Sequence, residues 1–206
     1  MFALVEDGSI TRFYSGNRGI TLGDNQYPKA IFTLWSKSER EAIGIYEVVW
    51  DNSKKKDERW YINTDISYAF AGGKVTASYG DATAKAHADT LYTAEDESNG
   101  LGTEGEVKVE GLKTIKIREV KKQAADILAE TDWYILRKAD ADTAIPSTIT
   151  NHRAAVRTKC ASMETSITNA SNTAALETLY TYVNTADEGD PVVMERPLGE
   201  LPRLET

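Results

Sequence analysis

The stretch that decides the fold of the second half of this chain is AADILAETDWYILRKADADTAIPSTITNHRAAVRT, from Ala124 to Thr158. A helical pattern of apolar residues runs up to Leu128 and ends where the chain presents Thr131-Asp132-Trp133-Tyr134. A second helix is predicted to begin at Pro146, because the fixed φ of proline suits a first helical turn and its missing N–H is not needed there. The stretch therefore predicts a helix-loop-helix hairpin.

Outward from this stretch, helical spacing continues in both directions. Upstream it predicts a helix from Leu112 to Glu130, and downstream an apolar stripe in which steps of three and four alternate from Ile149 to Ala170. The stripe reaches only the lower limit of the three or four heptads that a coiled coil normally needs, and Arg153 and Thr158 lie near it, so packing against the chain's own helices is favoured over self-association. A last short helix is predicted from Thr173 to Val183.

The remaining segment, 185–206, holds three of the chain's five prolines and has no periodicity. We therefore expect an extended C-terminal tail. Within it, the unpaired stretch PVVME could add a strand to a partner's sheet edge, and full flexibility is the equal alternative.

The first 80 residues read as strands and tight turns. Asp7-Gly8 and Gly72-Gly73 each separate two apolar runs, and these residue pairs favour the positive φ angles that a two-residue hairpin turn requires. Alternation in GIYEVVW predicts a strand from Gly44 to Trp50. Between the hairpins, Ser38 is expected to cap a short helix that Gly44 ends. Most aromatic side chains of this half are expected in its core.

The composition changes between residues 81 and 110, which are acidic, glycine-rich and poor in large apolar side chains. We read this segment as a connector with one strand at TLYTA. The predicted class is thus α+β, with a β-rich domain at 1–80, a connector at 81–110, a helical domain at 111–184 and a tail at 185–206.

Bulk composition limits the classes of partner. The formal charge is −8 and the sequence pI is near 4.9, which argues against nucleic acid, since phosphate binding needs clustered Lys and Arg. No apolar run is long enough to span a membrane, and the first residues do not read as a signal peptide. The single cysteine, Cys160, lies in a helical pattern and is expected to be a buried, inert thiol made in a reducing cytoplasm.

No motif for catalysis, metal or cofactor binding is present in the sequence. The two histidines, His87 and His152, accompany neither a Gly-x-Ser-x-Gly elbow nor a His-Glu-x-x-His pair, and His152 reads as a half-exposed helix residue. The glycines of GLGTEGE are followed by acids that would repel phosphate. A pair of catalytic carboxylates, as in a glycoside hydrolase, stays open because nothing singles one out. We predict that the protein is not an enzyme and uses no cofactor or metal.

The stretch that opens this section resembles the tail-assembly-chaperone domain of tailed bacteriophages. In that family a helix ends in Leu-x-x-Thr-Asp-Trp, and a loop leads to a second helix with Tyr-Arg-x-x-Leu-Arg. The chain departs from the pattern by His for Tyr, Val for Leu and a missing Asp-Ile-Pro, and the likeness covers about a quarter of its length. The matching residues are Leu128, Thr131, Asp132, Trp133, His152, Arg153, Val156 and Arg157.

A second likeness lies in QYPKAIFTLWSKSEREAIGIYEV, residues 26–48, which is similar to a stretch near the start of phage tail-fibre-associated proteins. Together the resemblances imply a non-enzymatic role in which the chain helps phage tail or tail-fibre subunits fold, assemble or attach. They also imply a homo-oligomer, present in the host cytoplasm during assembly and then in the virion tail. The alternative is a virion-resident receptor-binding protein at the fibre tip that binds host glycan through its aromatic β domain.

The resemblance places the partner-binding site at Thr131, Asp132, Trp133, Arg153 and Arg157. Thr131 or Asp132 is expected to hydrogen-bond free backbone groups at the helix end. The two arginines, one helical turn apart, are expected to pair with Asp132, Glu130 or a partner's carboxylates. Trp133 either closes the hairpin over Leu128 and Val156, or anchors a partner. If its ring is core, Trp133→Ala costs about 3–5 kcal/mol.

Overall fold

The computed structural model describes residues 1–204 and divides the chain into two compact units. The first unit is Met1–Thr83 and the second is Ala84–Thr206, of which the last two residues lie outside the described part. The first unit is built mainly from strands, and all long helices lie in the second. The predicted α+β class is therefore confirmed.

The first unit contains a five-stranded sheet with the strand order β2 (Ser9–Tyr14), β1 (Phe2–Glu6), β5 (Ile45–Asp51), β8 (Lys74–Ser78) and β7 (Ser67–Ala71). The neighbours in this sheet are antiparallel except for β5 and β8, which run parallel. Two further strands, β3 and β4, form a separate antiparallel hairpin. The elements of this unit are β1 Phe2–Glu6, β2 Ser9–Tyr14, β3 Ile20–Leu22, β4 Asn25–Tyr27, α1 Lys37–Ala42, β5 Ile45–Asp51, β6 Tyr61–Ile62, β7 Ser67–Ala71 and β8 Lys74–Ser78.

Both predicted hairpin turns are confirmed. Asp7 and Gly8 connect β1 to β2 with φ angles of 49° and 77°, and Gly72 and Gly73 connect β7 to β8 with 57° and 71°. Two consecutive positive φ angles match the twist of the flanking strands, which is why the chain carries these residue pairs here. The strand predicted from Gly44 to Trp50 is β5.

The residue that caps α1 is Ser36, so the prediction of Ser38 is wrong. The Ser36 hydroxyl accepts a hydrogen bond from the Glu39 N–H at 3.3 Å, and the Glu39 carboxylate accepts one from the Ser36 N–H at 2.7 Å. A capping box needs an acid three residues after the cap, and both serines have one, Glu39 after Ser36 and Glu41 after Ser38, so the sequence alone does not choose between them. Gly44, with φ 79°, follows the end of the helix as predicted.

Apolar side chains cover both faces of the sheet. Consecutive residues of β1 belong to different clusters, since strand side chains alternate between faces. Ala3 packs with Val48, Val75 and Ala77. Leu4 packs with Ile20, Ile31, Phe32 and Ile45. Among the tryptophans of this unit Trp60 is buried, Trp35 is partly buried and Trp50 is exposed.

The second unit is organised by two long helices that pack against each other, α3 (Leu112–Ala129) and α5 (Ser147–Asn169). The apolar stripe of α5 is buried, so packing within the chain, as predicted, accounts for it. Cys160 in this stripe is buried, and burial raises the pKa of its thiol, with the Glu164 carboxylate adding to the effect. The elements are β9 Thr83–Ala84 at the division, β10 Thr90–Leu91, α2 Ala94–Ser98, β11 Val107–Val109, α3 Leu112–Ala129, α4 Asp132–Ala141, α5 Ser147–Asn169, α6 Thr173–Tyr180, β12 Val183–Asn184 and β13 Met194–Glu195.

The segment read as a connector is, from residue 84 onward, tied to the helices of the second unit. The Asp89 carboxylate accepts hydrogen bonds from the Gly111 N–H at 2.6 Å and the Thr114 hydroxyl at 2.8 Å, and so caps α3 from 22 residues upstream. The His87 ring pairs with the Ala170 carbonyl at 2.8 Å. These contacts are polar and distant in sequence, which is why apolar periodicity does not reveal them.

Asp89 gives a pH-dependent prediction. The hydrogen bonds from Gly111 and Thr114 lower the pKa of its carboxyl below the ordinary value. A lowered folded-state pKa adds stability that is present above the unfolded-state pKa and lost as the pH falls through the lowered one. We therefore expect wild type to be more stable than Asp89→Asn at neutral pH, with a gap that narrows in acid. Urea unfolding at a series of pH values measures the gap, and a gap that is constant with pH contradicts the prediction.

The C-terminal segment is folded back onto the second unit over 185–204, contrary to the extended tail that we predicted. Met194–Glu195 pairs with Val183–Asn184 as an antiparallel hairpin, so the PVVME stretch is not unpaired. Leu198 is 2% exposed, and its N–H donates to the Leu179 carbonyl at 3.0 Å. One buried leucine among prolines and acids has no periodicity, and the sequence therefore could not reveal this docking.

Candidate functional site

A helix, α4, occupies most of the stretch that we predicted as a loop, so the two-helix hairpin is not what the structure contains. It runs from Asp132 to Ala141, and the residue that follows, Asp142, has a left-handed φ of 49°. Its middle is rich in Leu, Arg, Lys and Ala, which are strong helix formers. No side chain of α4 is buried, although three of its residues are large and apolar.

The junction between α3 and α4 is held by Arg153 of α5. This arginine is only 7% exposed, and one guanidinium nitrogen, Nη1, donates to the Leu128 carbonyl and to the Thr131 hydroxyl, both at 2.7 Å. The second nitrogen, Nη2, lies 2.9 Å from the Asp132 carboxylate. A planar guanidinium can address three acceptors at once because its donors have a fixed fork geometry. The last turn of α3 and the first residue of α4 are thereby fixed to α5.

Three of the five predicted site residues therefore meet inside the chain. Thr131 is buried, and its hydroxyl donates to the Leu128 carbonyl at 3.0 Å while it accepts from Arg153. The expected Arg153–Asp132 ion pair is present. Thr131 and Arg153 serve the α3–α4 junction, and a direct contact of theirs with a partner stays a prediction.

Trp133 does not close the helices as a core residue, and that prediction is wrong. Its side chain is 49% exposed. The ring lies 3.7 Å from the Tyr134 ring between centroids, and the Arg137 guanidinium lies 4.8 Å from the Trp133 centroid. The physical reason is that the Arg153 fork already fixes the junction, which leaves the tryptophan free to face outward.

Trp133 and Leu136 are exposed on one side of α4, which we call the α4 face, and Ile135 is exposed on another side of the same helix. Ile135 is 41% exposed and Leu136 is 69% exposed. Trp133 and Leu136 are three residues apart and so are neighbours on the helix surface. Arg137 borders them, and exposed Trp and Arg side chains are the usual anchors of protein interfaces.

The fifth predicted residue, Arg157, lies one turn beyond Arg153 on α5 and is exposed. Its Nη1 donates to the Arg153 carbonyl at 3.4 Å, and within residues 1–204 no carboxylate forms an ion pair with it. It borders a groove of about 300 Å³ between α3 and α5 that Leu128 and Cys160 also line. The expected pairing of Arg157 with Glu130 or Asp132 is therefore not present in the described chain.

Sequence reasoning missed Ile135, Leu136 and Arg137 as surface residues of the site. The signal was the unbroken run Trp133-Tyr134-Ile135-Leu136, because four consecutive bulky residues on a helix point to all sides and cannot share one core. His152, expected to be half exposed, is buried on α5.

The described residues contain no group of three or more His, Cys, Asp or Glu side chains arranged to hold a metal ion. Within residues 1–204 no helix has the length and apolar character that crossing a bilayer would require. In comparisons with known proteins, the chain matches no protein-family model, no curated protein and no solved structure.

Proposed function

We propose that this chain is a non-enzymatic bacteriophage tail or tail-fibre protein that acts by protein–protein contact in assembly or attachment. In this proposal the α4 face binds a tail or fibre subunit. The observation that carries the proposal is the exposure of Trp133, Ile135 and Leu136 on a helix with no buried residue. The resemblance of this same stretch to tail-assembly chaperones supplies the class of partner.

The α4 face exposes large apolar side chains to water, which is unfavourable, and a bound partner would cover them. Large apolar side chains gain about 1.5–3 kcal/mol each when they pass from water into a packed interface. The backbone that presents them is already ordered by Arg153, so binding loses little additional conformational freedom at the junction. An exposed but preorganised apolar surface is what a binding protein requires.

The positive charge of Arg137 indicates which residues a partner would place at the border of the α4 face. The Arg137 guanidinium lies over the Trp133 and Tyr134 rings, and no carboxylate within residues 1–204 forms an ion pair with it. The partner surface that fits is therefore apolar at its centre with an Asp or Glu at its border. The proposal includes a homo-oligomer, since phage tails are symmetric, and a place in the host cytoplasm during assembly and in the virion tail afterwards.

Two variants test the α4 face. We expect Leu136→Asp and Trp133→Ala each to weaken binding of a tail or fibre subunit by about tenfold or more, because they remove central anchors. Neither should change the free energy of unfolding by more than about 1 kcal/mol, since both side chains are exposed. Affinity chromatography of infected-cell lysate on immobilised protein, with mass spectrometry of the captured subunit, identifies the partner. Titration of that purified subunit then gives the dissociation constants.

The matched control is Leu101→Asp, which changes another exposed leucine of the second unit, 59% exposed, and should leave binding unchanged. Equal losses of binding affinity in Leu101→Asp and Leu136→Asp would contradict the assignment of the binding site to α4. Capture of no tail or fibre subunit, or a loss of about 3–5 kcal/mol of stability in Trp133→Ala, would contradict the proposal. Mass spectrometry of mature phage particles then distinguishes a component that stays from one that leaves after assembly.

A further inference from the structure

The groove that Arg157 borders, which we call the α3–α5 groove, is a second open surface of the helical unit. The residues that line it all belong to α3 or α5, so α4 does not fill it. A further hollow of about 410 Å³ continues it along α5 as far as Asn169. Most of its lining is small or apolar and its border is charged: the lining side chains are Ala124, Ala125, Leu128, Cys160 and Ala161, and the border is Lys121, Arg157 and Glu164.

The length of α4 matches this groove. With 10 residues, α4 is about 15 Å long. The part of α5 that lines the groove and its continuation, from Arg157 to Asn169, is about 18 Å long. Alanine side chains let another helix approach closely, and bulky side chains such as Trp133 and Leu136 then fill the space between the two helices. One helix of the size and character of α4 therefore fits the α3–α5 groove.

The α4 face also has a pattern of charge. Trp133, Leu136, Arg137 and Asp140 follow the i, i+3, i+4, i+7 spacing and so share one side of the helix. The Arg137 guanidinium lies 4.8 Å from the centroid of the Trp133 ring, which places the positive charge at the level of Trp133. Asp140 lies about 10.5 Å further along the helix axis, and within residues 1–204 its carboxylate forms no ion pair. The face thus has a positive end, a central leucine and a negative end.

The α3–α5 groove has the opposite charges at the same spacing. Arg157 and Glu164 are two turns apart on α5, about 10.5 Å, and Ala161 lies between them. Among the described residues no carboxylate pairs with Arg157. Glu164 pairs with the exposed Lys121 ammonium at 3.0 Å, and such a surface pair holds the carboxylate only weakly. Both border charges are therefore available to a partner.

We propose that the α4 face of one copy of this chain binds the α3–α5 groove of a second copy. Laid antiparallel to α5, α4 brings each of its two charges to the opposite charge of the groove, and its central leucine to the central alanine. The groove also meets the requirement derived above for the partner, an apolar centre with a carboxylate at its border. This inference rests on the proposed contact role of the α4 face and names the partner of that face as the chain itself.

The face and the groove are different surfaces, so the contact is heterologous and repeats from copy to copy. It forms a closed assembly if the rotation between copies closes, and an open filament if it does not. One short helix in one groove buries less than about 1,200 Å² in total, the range of weak interfaces. We therefore expect a dissociation constant on the order of 10–100 μM.

Sedimentation velocity of the full-length chain measures this association, at concentrations from about 5 to 500 μM that bracket the expected constant. Leu136→Asp breaks the face, and Ala161→Glu fills the groove with a carboxylate one turn from Arg157. Each should weaken association about tenfold or more. Mixed together, the two variants should form a one-to-one complex, because one keeps an intact groove and the other an intact face. The matched control is Ala155→Glu, an exposed change on the opposite side of α5, which should associate as wild type does.

Charge exchange tests the orientation of the helix. Arg157→Asp and Asp140→Arg should each weaken association about tenfold, and the two changes combined in one chain should restore it. A wild-type chain that is monomeric throughout the concentration range would overturn the inference. So would broken variants that do not recover on mixing, or a double charge exchange that restores nothing.

The capture experiment on infected-cell lysate separates this inference from the proposed function. A monomeric chain that still captures a tail or fibre subunit, and loses it in Leu136→Asp, would overturn the inference and support the proposed function. Self-association through α4 without capture of any other phage subunit would support the inference and contradict the tail assignment.

Discussion

Leu198→Ala should lower the free energy of unfolding of the second unit by about 2–5 kcal/mol, the range for removing a buried leucine side chain. Leu198 is 2% exposed, and its N–H is bonded to the Leu179 carbonyl just before the end of α6. The substitution leaves a cavity where the C-terminal segment docks, so it lowers the free energy of unfolding of the whole second unit. Urea unfolding followed by far-ultraviolet circular dichroism measures it, because the long helices dominate that signal.

Val192→Ala is the matched control in the same segment. Val192 is 70% exposed, and its truncation should change stability by no more than about 0.5 kcal/mol. A Leu198→Ala variant as stable as Val192→Ala would mean that residues 185–204 do not dock in solution. In that case the expectation of an extended tail would be restored.

Arg153→Met should destabilise the second unit by about 1.5–3 kcal/mol, the value of hydrogen bonds to a charged group. Methionine keeps the length and packing of the side chain but removes every donor. The estimate stays below the roughly 3–5 kcal/mol of a broken buried ion pair, because Asp132 is largely exposed and the Leu128 carbonyl keeps the Thr131 hydroxyl as a donor. Chemical unfolding of the two proteins side by side measures the difference.

Arg157→Met is the control for Arg153→Met, since it makes the same change one turn away at an exposed position. We expect it to change stability by no more than about 0.5 kcal/mol. Arg153→Lys should restore little of the stability that is lost in Arg153→Met, because an ammonium group cannot donate to the three acceptors with the geometry of the planar guanidinium. Full stability in Arg153→Lys would show that charge alone holds the α3–α4 junction.

Local signals in the sequence were sufficient for much of the fold. The Asp7-Gly8 and Gly72-Gly73 turns need nothing beyond their own φ angles, and the spacing of apolar residues gives the long helices within a few residues. The predicted helix ends differ from the observed ones by up to a few residues. For example, α6 was predicted to end at Val183 and ends at Tyr180. These elements are determined by neighbours in the chain, which is the information that a single sequence contains.

The sequence did not predict contacts between residues that are far apart in the chain. The capping of α3 by Asp89, the docking of Leu198 and the fork of Arg153 each join residues 19 to 25 positions apart through one or two side chains. No periodicity accompanies such contacts, so the sequence suggested a connector, a tail and a loop in their place. The resemblance did select Thr131, Asp132 and Arg153, which the structure brings together, but it did not distinguish their internal role from a contact with a partner.

The parallel pairing of β5 with β8 has a consequence for how the first unit is made. As the chain leaves the ribosome, β1, β2 and β5 can associate early, while β8 is synthesised only 23 residues after β5 ends. At a synthesis rate of roughly 5–20 residues per second, the backbone edge of β5 that later pairs with β8 stays unpaired for about one to five seconds. Nascent copies on one message are then the nearest strands that could pair with it. The β7–β8 hairpin around Gly72-Gly73 supplies the strand that covers this edge of β5.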